Sequence, residues 1–175
     1  MSGQQASAYD PAAALLALYD TVLPRVYGYL ISRCGQQALA EDLTAETMLA
    51  AVAAIRRDQA PPISAAWLLG IARHKLVDHW RREAREERGL RSVARESSDI
   101  DDPWEAELDS LRARATLSTL GPHHRLALTL RYVDDLPVTD VAELLDRGLH
   151  ATEGLLVRAR QAFRRAYEAQ EGGDA

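Results

Sequence analysis

Residues 138–169 read VTDVAELLDRGLHATEGLLVRARQAFRRAYEA, and they carry the clearest fold signal in the chain. Val138–Leu145 has the apolar spacing of a short helix, Asp146–His150 contains a glycine turn, and Ala151–Ala169 reads as a longer basic helix. A short helix, a tight turn and a second basic helix form the layout of a helix-turn-helix. We therefore predict a DNA-binding helical hairpin here, with a merely solvated basic helix as the alternative.

The rest of the chain is also predicted to be helical. Hydrophobic residues make up 47% of the 175 residues and charged residues 27%, as in ordinary globular proteins. There is one phenylalanine, β-branched residues never alternate over a strand length, and Ala, Leu, Arg and Glu dominate. Lysine occurs once, and the arginine bias suits contacts to phosphate and guanine, although a GC-rich genome would produce the same bias. The predicted fold class is all-α.

Charge divides the chain into blocks. The net charge is −5, yet Arg56–Arg95 carries ten cations against five anions, and Arg112–Arg165 carries nine against six. Between them, Glu96–Asp109 has seven acids and no base. Local clustering of this kind is what matters for nucleic-acid binding. We predict two small helical domains, residues 10–88 and 110–170, joined by an acidic flexible linker at 89–109.

Three helices are predicted in the first domain. Ala13–Cys34 is amphipathic, with Pro24 expected to break or kink it. Leu39–Ile55 follows, and then Ala65–Glu87, for which Ser64 is a plausible N-cap. The loop between the last two helices, Arg56–Ser64, contains two adjacent prolines.

The second of these helices has an unusual outward face. At 100° per residue its apolar face lies opposite a stripe that includes Asp42, Glu46 and Leu49. Leu49 lies in the middle of that stripe, so it is either exposed by chance or part of a surface that binds a partner.

The second domain is predicted to open with Glu105–Leu117 and His123–Val133, ahead of the helix-turn-helix. On the last helix one stripe is apolar and should face the core: Thr152, Leu156, Ala159, Phe163 and Ala166. The opposite stripe is Gly154, Val157, Arg158, Gln161 and Arg165, where a glycine beside an arginine suits close approach to a DNA groove.

Several motifs resemble those of one protein family. Residues 40–46, AEDLTAE, resemble the AEDLxQE signature of extracytoplasmic-function (ECF, group IV) sigma factors of the sigma-70 family. Residues 67–74, WLLGIARH, look like that family's WLxxIAxN. Residues 117–120 with Arg131-Tyr132 resemble the entry to its region 4, residues 140–142, DVA, stand where EIA is usual, and residues 158–160, RAR, match its end. Five motifs in family order across nearly the whole chain make a specific resemblance.

The resemblance implies a promoter-specificity subunit with no catalytic residues, metal or cofactor. Its partners would be core RNA polymerase, through the β′ clamp and the β flap, and promoter DNA. An anti-sigma factor is a further partner that the family often has, although no residue identifies one.

Region 2 would dock on the polymerase through Asp42, Glu46 and Leu49. It would read the −10 element through Arg56, Arg57, Arg73, His74 and Lys75. Region 4 would read the −35 element through Arg131, Glu153, Gly154, Val157, Arg158 and Gln161.

The sequence departs from the family pattern at several positions. His74 stands where an asparagine is common, and the family's TVKSR is replaced by ATEGL at residues 151–155. Two basic residues are thereby lost, at Glu153 and Leu155. We expect fewer phosphate contacts than usual and an altered promoter preference.

Two other functional classes fit the sequence less well. A stand-alone helix-turn-helix regulator would need a strongly positive DNA face and usually a dimer, whereas this chain is acidic overall. An enzyme would need a catalytic constellation. The only local histidine pair, His123-His124, points in two directions on a helix and is expected to lie on the surface. Cys34, the single cysteine, is expected to be a small core or turn residue.

The termini and apolar runs bear on location. Met1–Asp10 has neither positive charge nor an apolar core, so no signal peptide is expected. The longest apolar run, Ala12–Tyr19, is too short to cross a bilayer. The expected location is the cytoplasm, without membrane insertion.

Overall fold

The computed structural model describes residues 9–90 and 110–171, and every regular element in these ranges is helical. The all-α prediction is confirmed. The elements are α1 (Pro11–Cys34), α2 (Gln37–Arg56), α3 (Ala65–Leu90), α4 (Ser110–Thr119), α5 (Pro122–Leu128), a π-helical turn (Thr129–Val133), α6 (Val138–Leu145) and α7 (Leu149–Glu171). The predicted acidic linker lies almost wholly outside the described residues.

Local chemistry sets both ends of α1. The Asp10 carboxylate accepts a hydrogen bond from Ala12 N at 2.9 Å, while Gly35, at φ +67°, donates its N–H to Ile31 O. The predicted break at Pro24 is wrong, because the helix runs through it. Pro24 and Asp20 are both exposed, so the carbonyl that loses its donor can be hydrated.

A two-residue turn at Gly35 and Gln36 brings α2 back to pack on α1. The buried residues follow the helical period on both helices: Leu15, Val22, Val26, Leu30 and Cys34 on α1, and Ala40, Leu43, Thr44, Thr47 and Ala51 on α2. The two buried threonines donate their hydroxyls to carbonyls four residues back, at 2.6 and 2.7 Å, so their burial leaves no polar atom unsatisfied.

Helix α3 begins where predicted. The Ser64 hydroxyl accepts a hydrogen bond from Trp67 N at 3.2 Å, as an N-cap does. Of the two tryptophans on α3, Trp80 is fully buried in the core and Trp67 is half-buried. The chain divides into two compact units between Lys75 and Leu76, inside α3. The predicted domain limits, residues 10–88 and 110–170, stay a prediction.

The second unit contains the end of α3 and helices α4 to α7. Helices α4, α5 and α6 all pack on α7. One core cluster combines Leu120, Leu128, Ala159 and Phe163, with Tyr167 stacked on Phe163 at 5.8 Å between ring centroids. Arg112 on α4 covers the Tyr167 ring on α7, because its guanidinium lies over that ring and donates a hydrogen bond to Tyr167 O at 2.6 Å.

Several predicted boundaries in this unit need correction. Helix α4 continues to Thr119, where a turn from Ser118 was expected, and α7 begins at Leu149 rather than Ala151. The predicted helix His123–Val133 is present, but its last five residues form a π-helical turn. Helix α6 has the predicted bounds, and Asp146 ends it in the left-handed region at φ 53°.

Candidate functional site

The outward face of α2 combines acids with exposed apolar side chains. Asp42 is exposed and Glu46 is partly exposed, while Leu49 exposes 69% of its surface. The predicted orientation of this helix is therefore confirmed. Val52, one turn beyond Leu49, is also exposed and extends the apolar strip. The three-residue spacing from Leu49 was the available signal for Val52, which sequence reasoning missed.

Glu46 forms an ion pair with Lys75, a residue predicted to contact the −10 element. Its Oε2 lies 3.4 Å from Nζ of Lys75, and both side chains remain partly accessible, at 44% and 33%. The structure thus brings together one predicted docking residue on α2 and one predicted DNA residue on α3.

The other residues predicted to read the −10 element divide by accessibility. Arg56, Arg57 and His74 are exposed and available to a ligand. Arg73 is half-buried, and its Nε is enclosed by protein. Arg73 therefore contributes to packing in addition to any role at the surface.

The loop between α2 and α3 is held by hydrogen bonds at its start and near its end. Backbone bonds from Arg57 N to Ala53 O, Asp58 N to Ile55 O and Gln59 N to Ala54 O fasten its first residues to α2. Asp58 adopts a left-handed conformation, at φ 55°. A further bond comes from outside the loop, because Ile63 N donates to the Tyr9 hydroxyl at 2.6 Å.

Helix α7 presents the predicted face. Thr152, Leu156, Ala159 and Phe163 are buried, so the residues opposite them face outward. Glu153 and Arg158 are exposed, and Gly154, Val157 and Gln161 are partly exposed. The Arg158 guanidinium folds back along the helix, since its Nη1 would lie 3.5 Å from a Cβ placed on Gly154.

The two departures from the family pattern on α7 have different environments. Leu155 is 4% exposed and packs into the core, so a basic residue there would have to leave this position to reach a phosphate. Glu153 is exposed, and its Oε2 lies 3.7 Å from Nδ1 of His150 one turn earlier.

His124 lies on α5, the helix that packs most closely on α7. Burial, and secondarily the positive charge of Arg158, lowers the pKa of His124 from its ordinary value of 6.5. The expectation that His123 and His124 are surface residues is wrong, because α5 packs on α7 and leaves both half-buried.

Arg131 has a structural role as well as a predicted one. Its Nη1 donates to Leu136 O at 3.2 Å and lies 3.7 Å from Oδ1 of Asp135, so it closes the turn that follows the π-helical segment. Its neighbour Tyr132 accepts a hydrogen bond from Arg160 on α7 at 3.0 Å. The use of Arg131 against a phosphate stays a prediction.

Three further features of the described residues bear on other kinds of site. Cys34 is buried, with Sγ 3.5 Å from Gln36 O, which confirms it as a core residue at the turn. Within residues 9–90 and 110–171, no cluster of three or more His, Cys, Asp or Glu side chains is arranged to hold a metal ion. In the same ranges, no helix is both long and apolar enough to span a membrane.

Comparison with known proteins identifies the family. The sigma-70 region 2 family model matches residues 18–86. The ECF RNA polymerase sigma factor SigC of Mycobacterium tuberculosis is 34% identical over 126 residues, which cover 71% of this chain and 68% of SigC. The chain belongs to the ECF sigma factors of the sigma-70 family.

Two further relatives agree. The ECF RNA polymerase sigma factor BldN of Streptomyces coelicolor is 30% identical over 164 residues, covering 88% of this chain and 60% of BldN. The chain therefore spans about 60% of the length of that relative. The sigma factor RpoE of Bartonella quintana, solved in complex with the anti-sigma factor NepR, aligns with a TM-score of 0.52 at 25% identity. That alignment covers 87% of this chain and 95% of RpoE.

The family match divides the candidate residues of this sigma factor into two groups. All the predicted docking and −10 residues, from Asp42 to Lys75, lie within the region 2 match. The residues predicted to read the −35 element lie beyond it, and their assignment depends on the helix-turn-helix geometry of α6 and α7.

Proposed function

We propose that this ECF sigma factor, of group IV, docks on the β′ clamp of core RNA polymerase through the outward face of α2. The observation that carries the proposal is Leu49, which leaves 69% of its surface in water beside Asp42 and Glu46. Covering a leucine contributes about 1.5–3 kcal/mol, so a partner with an apolar pocket and basic rim gains from this face. An exposed acid beside it adds directionality and faster association.

The second element of the proposal is promoter melting by region 2. The loop after α2 and the following turns of α3 carry the exposed Arg56, Arg57 and His74. Single strands are held by cationic side chains along the backbone and by pockets for unstacked bases. We assign the loop to the wall of such a pocket at the −10 element.

The third element is recognition of the −35 element by α7. Arg158 on its outward face can bond O6 and N7 of guanine together. Glu153 on the same face can accept from the amino group of cytosine, although it repels phosphate. Because Glu153 and Leu155 take the place of two basic residues of the family pattern, stable recognition should require the polymerase to hold both units on one promoter, with region 4 on the β flap.

The wider setting follows from this assignment. A subunit that binds polymerase and DNA has no need of a catalytic site or cofactor of its own, and it acts where the chromosome is, in the cytoplasm. The complex of RpoE with NepR supports an anti-sigma factor as a regulator of this chain also.

The test is run-off transcription with core polymerase on fragmented genomic DNA, with and without the chain. We expect new transcripts that share −10 and −35 elements and that disappear with the Asp42→Arg variant. The absence of new transcripts with an active core would contradict the proposal. A shift of promoter DNA by the chain alone, at the affinity of the holoenzyme, would favour the stand-alone regulator instead.

A further inference from the structure

Tyr9 makes a long-range contact with the loop assigned to the −10 element. Its hydroxyl accepts a hydrogen bond from the backbone N–H of Ile63 at 2.6 Å, across 54 positions of sequence. Tyr9 precedes the first residue of α1 by two positions and lies outside the region 2 match. Its side chain is 57% exposed, so it contributes little to the core.

The contact falls on the part of the loop that its own helices hold least. The first residues of the loop are bonded to the last turn of α2, and Ser64 caps α3. Between these anchors lie Pro61 and Pro62, which have no N–H to donate. Ile63 is the next donor along the backbone, and Tyr9 supplies its acceptor.

The position of this loop would govern which base fits against it. Arg56 and Arg57 at its start are exposed and can hold the sugar-phosphate backbone without selecting a sequence. Selection among unstacked bases depends on the shape of the pocket and on hydrogen bonds to base edges. A displacement of the loop would therefore alter the choice of base more than the binding of phosphate.

We propose that Tyr9 is a positioning residue for −10 specificity, which holds the loop at Ile63 through its hydroxyl. This inference rests on the proposed function, in which the loop forms the wall of the −10 pocket. Tyr9 itself need not touch DNA. Its effect passes through one backbone hydrogen bond.

The experiment compares Tyr9→Phe with wild type in holoenzyme assembled from the full chain and core polymerase. Templates share one −35 element and carry every single-base change in the −10 element. Tyr19→Phe is the matched control, because it removes the same hydroxyl from another exposed tyrosine, which lies on α1. We expect Tyr9→Phe to reduce the discrimination between preferred and other −10 bases roughly threefold to tenfold, the worth of one hydrogen bond. Core affinity, −35 preference and the Tyr19→Phe profile should stay unchanged.

The possible results are distinguishable. Wild-type holoenzyme that initiates nowhere would overturn the proposed function and this inference with it. An active wild type with an identical −10 profile for Tyr9→Phe would overturn the role of Tyr9 alone. A changed profile in Tyr9→Ala but not in Tyr9→Phe would also overturn it, because the ring and not the hydrogen bond would then be responsible.

Discussion

The ammonium group of Lys75 lies 3.4 Å from the Glu46 carboxylate, and this ion pair joins the face of α2 that we propose for docking to the part of α3 that we propose for DNA. Both partners are partly exposed, so the pair contributes at most about 1 kcal/mol to stability. A change of charge at Glu46 also changes the surroundings of a residue assigned to DNA.

Asp42 offers the cleaner test of docking. We expect Asp42→Arg to weaken core affinity by about 2–5 kcal/mol, because it places a cation where the polymerase surface must be basic. Asp42→Arg with Glu46→Arg should abolish binding, although the second change also sets an arginine against Lys75. The measurement is a titration of labelled chain with core polymerase.

Two controls show whether a loss of core affinity comes from unfolding or from the change of net charge alone. Asp42 is exposed, so the thermal unfolding midpoint should stay near that of wild type. Asp20→Arg makes the same change of charge on an exposed position of α1, and it should leave core affinity intact. Equal core affinities for Asp42→Arg and wild type would remove α2 from the docking surface.

His74 is expected to select a −10 base. The side chain is exposed on α3, so His74→Asn should alter which base is preferred with little loss of stability. The measurement is the enrichment of a randomised −10 library by each holoenzyme. His79→Asn, one to two turns farther along the helix, provides the control for the substitution itself. Identical enrichment for His74→Asn and wild type would show that His74 does not read the base.

Sequence periodicity predicted the parts of this fold that are decided within one helix. The faces of α2 and α7, the cap at Ser64 and the burial of Cys34 follow from residue types at helical spacing, and all are found. Pro24 shows the limit of such rules, because its cost depends on whether the freed carbonyl can reach water. In α1 the carbonyl can, and the helix continues.

Contacts between segments that are distant in sequence could not be predicted from the spacing of residues along the chain. The bond from Ile63 to Tyr9, the pair of Glu46 with Lys75 and the half-burial of His124 all depend on how helices pack. Arg131 is a further case, because an arginine near a turn can as well bind the turn's carbonyls as a phosphate. The tertiary packing decides whether Arg131 binds those carbonyls in the free chain.

The half-burial of His124 predicts a dependence of stability on pH. Because burial and then Arg158 lower its pKa below 6.5, the unfolded chain binds a proton below pH 6.5 that the folded chain resists. The free energy of unfolding should therefore fall as the pH drops through 6.5, and His124→Gln should reduce that fall. Urea denaturation at pH 7.5 and pH 5.5 measures the difference.

A titration of the His124 imidazole by NMR supplies the direct test. Arg158→Ala should raise the pKa of His124 part of the way back, since burial, the larger cause, remains. An imidazole that titrates at or above 6.5 in the wild-type chain would contradict the prediction.

Arg158 and Arg131 are expected to differ in how they affect −35 recognition. Arg158→Ala should cost about 1–3 kcal/mol on promoters that carry the contacted guanine and should relax preference at that position alone. Arg131→Ala should weaken all promoters alike and lower the salt slope by about one, if the guanidinium reaches a phosphate in the complex. The measurement is holoenzyme binding across a series of −35 point mutants at several salt concentrations.

The structure adds a control for each variant. Arg131 bonds Leu136 O in the free chain, so Arg131→Ala should also lower stability by about 0.5–1.5 kcal/mol, and binding must be compared below its unfolding transition. Arg114→Ala removes an exposed arginine from α4, which is assigned to no DNA contact, and it should retain the wild-type −35 preference. Should Arg158→Ala reduce binding to every −35 variant by the same factor, Arg158 holds a phosphate, and the sequence must be read by its neighbours on the same face.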